Sequence, residues 1–115
     1  MKILSIDTSS NICSISILED TNVIYEDHIS DKLTHSENLM PLIKKSLEHL
    51  KLNLSDIDLF ACSKGPGSFT GIRIGVATIC AFRDYFNKPA IGISSLESLA
   101  YNINSSEHSL VCSII

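Results

Sequence analysis

The run Gly65-Pro66-Gly67-Ser68-Phe69-Thr70-Gly71-Ile72-Arg73-Ile74-Gly75 constrains the fold of this chain more than any other stretch. An apolar segment leads into it and another leads out. Glycine and proline between two such segments set a sharp strand-to-helix turn, and glycine lets backbones come close. Ser68 or Thr70 is placed to cap the helix that follows. Arg73 then falls in the first helical turn, near exposed N–H groups and the positive dipole end. Ser68 and Arg73 therefore make a candidate anion site. The spacing is neither G-x-G-x-x-G with a helix opening at the right place nor G-x-x-x-x-G-K-[ST], so dinucleotide and Walker-type phosphate binding are not indicated. A tight turn feeding a closely packed helix explains the same residues without any ligand.

The rest of the chain orders itself around that turn. Ile3 to Asp7 reads as a buried strand ending in a carboxylate, and Thr8-Ser9-Ser10-Asn11 as a polar turn. Cys13, Ile15 and Ile17 alternate with Ser14 and Ser16, the period of a strand. Val23 to Ile29 is a third strand, so the first three form an antiparallel meander. Thr34-His35-Ser36-Glu37 has the capping-box pattern, and Leu39, Ile43, Leu47 and Leu50 follow at helical spacing, with Met40 widening the stripe. Pro41 is expected to cost a hydrogen bond and bend this helix. Ile57 to Ser63 is a strand, Phe69 to Tyr85 a helix apolar nearly all round, and Pro89 to Ile93 a further strand. Ser94-Ser95-Leu96-Glu97 opens a short helix to about Asn102. Asn104 to Ser109 reads as loop. Leu110 to Ile115 begins another apolar strand, in which the chain stops, as a piece of something longer would. The order predicts an α/β fold: a mixed five-stranded sheet with helices on both faces, as in the ribonuclease-H-like lobe of actin and the sugar kinases.

Composition enters through what it excludes. With 115 residues, 44% hydrophobic and 19% charged, the chain has enough apolar side chains for one real core. A net charge of −4 argues against this chain gripping nucleic acid alone. No apolar run reaches the length of a membrane span, and no basic amphipathic segment suits a membrane surface. The N-terminus does not read as a signal peptide, which makes the cytoplasm the expected location. Cys13, Cys62, Cys80 and Cys112 form no C-x-x-C pair and lie in apolar runs, so buried thiols are expected and a zinc site is not.

The polar candidates each have an ordinary explanation. Asp7, with Thr8 and Ser9, could meet a phosphate or a metal-bound water; the carboxylate could equally bond its own Thr8-Ser9-Ser10 turn. Ser9 and Ser10 lack the Gly-x-Ser-x-Gly elbow of a nucleophile. His35, Ser36 and Glu37 look like an acid–base group, but neighbours on a helix do not face one another, and a helix start accounts for all three. No Ser/His/Asp set and no zinc motif supports a protease.

Taken together, Ile3-Leu4-Ser5-Ile6-Asp7-Thr8-Ser9, Thr34 to Ile43, Lys64 to Gly75 and Ile91-Gly92-Ile93-Ser94-Ser95-Leu96-Glu97 resemble the TsaB (YeaZ) family, over essentially the whole chain. The resemblance implies two ribonuclease-H-like lobes, with residues 1–105 as the N-terminal lobe and 106–115 as the start of a second. It implies a non-catalytic dimerisation subunit in the formation of N6-threonylcarbamoyladenosine at position 37 of tRNA. The partners would be the catalytic paralogue TsaD and the ATPase TsaE, or a second copy when alone, with tRNA met only through the complex. The assembled complex would use ATP and Mg; this chain by itself would need no cofactor. Catalytic members of the superfamily usually carry a glycine two residues after the first-strand carboxylate, where this chain has Ser9. TsaD-like metal binding needs paired histidines, and His35 is followed four positions on by Leu39. A kinase-like or ATP-hydrolysing enzyme of the same fold is the alternative.

A partner surface is then expected on two helices. Leu39, Ile43 and Leu47, with His35, Ser36 and Met40, supply the first. The Gly71/Gly75 strip, with Ile72 and Ile79, supplies the second, as a flat face on which another helix could lie. On that expectation Gly75→Leu blocks pairing and leaves the monomer folded.

Overall fold

Alternation of apolar and hydroxyl-bearing residues gives the second strand its two faces. In the computed structural model, which describes residues 1–30, 34–102 and 112, β2 (Cys13–Glu19) buries Cys13, Ile15 and Ile17 and leaves Ser14 and Ser16 half-buried on the other side. It pairs antiparallel with β1 (Lys2–Asp7) and with β3 (Asn22–Ile29), as the meander predicts. Helix α1 (His35–Leu50) leads to β4 (Leu59–Gly65), parallel to β1; α2 (Phe69–Phe86) leads to β5 (Ala90–Ser94), parallel to β4. The strand order is β3-β2-β1-β4-β5. A six-residue helix, α3 (Ser95–Ala100), follows and ends short of Asn102.

The core lies between one face of the sheet and α1 and α2. Leu4 and Ile6, Cys13, Ile15 and Ile17, and Phe60 and Cys62 meet Leu39, Leu42, Ile43 and Leu47 of α1 and Ile79 of α2. Helix α3 sits on the opposite face, where the Ser95 and Ser63 hydroxyls lie 2.5 Å apart. Ser63 belongs to that face because Cys62, its neighbour in the strand, points into the core. Helices therefore occur on both faces, although among the described residues most of the second face is uncovered.

Local details depart from expectation for identifiable reasons. β4 starts at Leu59 rather than Ile57. Ile57 closes a 3-10 turn (Leu54–Asp56) by donating its N–H to Leu54 O, and its side chain is buried all the same. Asp58 then clasps the neighbouring strand: its N–H donates to Lys2 O and its carboxylate accepts the Lys2 N–H, both at 2.8 Å. That N–H is the main reason the Asp58 carboxyl titrates below its usual range. The capping box of α1 does not form. Thr34 Oγ1 lies 2.8 Å from Ser36 Oγ, and the Glu37 N–H goes to the Thr34 carbonyl instead. At α3 the cap is made, with Ser94 Oγ accepting the Glu97 N–H. Helix α1 runs unbroken through Pro41; Pro41 and Glu37, whose carbonyl would have taken the missing N–H, both lie on the exposed side. Met40 is on that side too, rather than widening the buried stripe. Cys13 and Cys62 are buried and Cys80 half-buried, but Cys112 is exposed. Burial pushes the Cys62 thiol upward. The loop at 104–109 and the strand at 110–115 lie outside the described residues apart from Cys112, as does the lobe boundary at 105. Among the described residues, no helix is long and apolar enough to cross a membrane.

Phe60 is the hub of the parallel half. It is fully buried, with its ring 5.4 Å from Phe82 and 6.3 Å from Phe86, so β4 holds the C-terminal turns of α2. Phe60→Ala should lower unfolding free energy by about 3–5 kcal/mol in urea titrations, through lost transfer energy and the cavity left behind.

Candidate functional site

The turn after β1 is where the starts of both long helices meet. Asp7 ends the strand, and its Oδ1 accepts the Ser9 N–H (2.9 Å) and the Ser9 hydroxyl (2.6 Å). The carboxylate thus organises its own turn, the ordinary one of the two roles open to it. Thr8 points the other way, into the core, and donates its hydroxyl to Gly71 O at 2.6 Å. The Ser9 carbonyl accepts the Ser68 N–H at 2.7 Å. Ser68 is the N-cap of α2, with its Oγ taking the Gly71 N–H at 3.2 Å. From α1, His35 Nε2 lies 2.5 Å from the Ser10 carbonyl, while its Nδ1 is buried with no hydrogen-bond partner. Asp7, Thr8, Ser9, His35, Ser68, Gly71 and Gly75, separate in sequence, are therefore one cluster.

This cluster corrects the expected partner strip. A Cβ at Gly71 would collide with the Thr8 carbonyl, and one at Gly75 would come within 2.5 Å of Thr8 Oγ1. The flat face of α2 receives the chain's own first strand, so no helix can lie there. Ile79, one helical repeat on, is buried in the same core. Leu39, Ile43 and Leu47 are core residues as well. Of the residues expected at an interface, Ser36 and Met40 are exposed, and His35 and Ile72 half-buried.

The anion site is also redrawn. Helix α2 begins at Phe69, which puts Arg73 in its second turn. Its guanidinium carbon lies 5.1 Å from the centroid of the Phe69 ring, stacked on the first residue of the helix. The Ser68 hydroxyl is already engaged as the cap. What remains there is a pocket of about 460 Å³ between the two helix starts, lined mainly by Asn11, Thr34, His35, Ser68 and Thr70.

A second depression, of about 510 Å³, lies on the open sheet face. Ser5, Ser14, Ser16 and Ser63 form its floor beside Asp7, with Glu26 and His28 on the β3 side and Ile93 on the β5 side. Sequence reasoning missed it, although its signal was present: Ser14 and Ser16 at alternate positions of β2, opposite Asp7 and Ser5 in the pairing register. Among the described residues, no three His, Cys, Asp or Glu side chains come together as a metal-binding group.

The contact of Thr8 with Gly71 and Gly75 makes a graded prediction. Thr8→Val, which loses one buried hydrogen bond, should cost about 1 kcal/mol. Gly71→Ala, which pushes a methyl group into backbone, should cost more, at or beyond the roughly 1–3 kcal/mol of ordinary overpacking. Gly75→Leu should unfold the chain rather than yield a folded monomer. Thermal melts of the three variants, ranked in that order, check the contact.

The family model for TsaD, described as tRNA N6-adenosine threonylcarbamoyltransferase, matches residues 29–115. The chain is 41% identical over 98 residues to the tRNA threonylcarbamoyladenosine biosynthesis protein TsaB of Buchnera aphidicola subsp. Schizaphis graminum, covering 85% of this chain and 46% of that protein. YeaZ from Pseudomonas aeruginosa superposes with a TM-score of 0.81 at 26% identity, over 94% of this chain and 49% of that one. A Bacteroides thetaiotaomicron protein with an actin-like ATPase fold superposes at 0.57 and 11% identity, over 87% of this chain and 36% of that one, which supports the fold alone. The chain spans about half the length of the relatives it matches. The strand order, the glycine turn docked on β1 and these similarities agree: the chain belongs to the TsaD-type threonylcarbamoyltransferase family, among its TsaB (YeaZ) members.

Proposed function

We propose that this protein is a non-catalytic partner subunit in the formation of N6-threonylcarbamoyladenosine on tRNA, acting through a TsaD-type catalytic subunit. The observation that carries the reading is the closed turn after β1. A phosphate-binding turn in this fold needs open backbone next to the first-strand carboxylate. Here Ser9 stands beside Asp7 and bonds it, while Thr8 is locked to Gly71. The relatives named for threonylcarbamoyladenosine biosynthesis supply the pathway.

The surface available to a catalytic partner lies on the outer sides of α1 and α2. Met40 is 47% exposed and Phe69 74% exposed, with Arg73 over the Phe69 ring. An apolar residue this open, backed by a guanidinium, is a common anchor in protein interfaces. Pairing with the TsaD-type subunit uses these residues and Ser36, while the buried stripe beneath them keeps the helices rigid. ATP and Mg act in the assembled complex, with the ATPase TsaE, and the tRNA meets this subunit only there.

Depletion of the protein should remove threonylcarbamoyladenosine from cellular tRNA, and the protein should co-purify with the TsaD-type subunit in fixed ratio. Met40→Asp and Phe69→Asp should each weaken that complex roughly tenfold or more, as loss of an interface anchor does, without changing the melting temperature. Binding of Mg-ATP by the protein alone, with no complex formed, overturns the reading.

A further inference from the structure

No further inference is drawn: the strongest candidate, the pocket between the starts of α1 and α2 lined by Asn11, Thr34, His35, Ser68 and Thr70, rests on two helix N-termini, and the unpartnered Nδ1 of His35 beside it belongs to a half-buried ring already engaged with the Ser10 carbonyl, so nothing in the structure points to a ligand there.

Discussion

Thr8 pressed against the bare backbone of α2 is the contact on which the structure depends. A helix packed on a sheet normally stands off by the thickness of its side chains. At Gly71 and Gly75 there are none, and the end of β1 comes in close enough for Thr8 to bond the Gly71 carbonyl. That approach fixes where α2 starts. The start in turn fixes Ser68 as the cap, hands the Ser68 N–H to the Ser9 carbonyl, and leaves His35 of α1 beside the same turn. Glycine inside a helix costs about 1 kcal/mol each against alanine. The cost is offset by packing that no larger residue allows.

The turn after β1 engages its polar groups with its own neighbours. A phosphate-binding turn keeps its N–H groups open. Here the Ser9 N–H and hydroxyl are spent on Asp7, the Thr8 hydroxyl on α2 and the Ser9 carbonyl on Ser68. Polar groups that satisfy one another leave little for a ligand to gain.

The sheet shows a division of labour between its faces. One is a continuous apolar layer under α1 and α2. The other has a floor of serines at Ser5, Ser14, Ser16 and Ser63, with α3 over one end. Small hydroxyl residues keep that face shallow and hydrated. Apolar side chains are exposed at both of its ends, Val23 and Ile12 toward β3 and Ile91, Ile93 and Leu99 toward β5.

How much of this was legible in the sequence depends on whether the signal was periodic or relational. Strand and helix identity, the order of elements, a cap at Ser68 or Thr70 and the mixed sheet followed from alternation in β2, helical spacing in α1 and turn residues at 65–68, because those patterns are set by neighbours in the chain; the structure chose Ser68. The resemblance carried by the glycine turn pointed to the right family. The sequence alone could not say which face of α2 is buried. Residues apolar nearly all round offer several faces, and two glycines four apart look the same whether a partner helix or the chain's own strand lies on them. Arg73 was legible by contrast, since a helix that opens at Phe69, as the turn residues indicate, has Arg73 as its fifth residue and so in its second turn. The meeting of Thr8, His35, Gly71 and Gly75 was decided by tertiary structure, because the closeness of β1 to α2 exists only once the sheet has formed and the helix has docked on it.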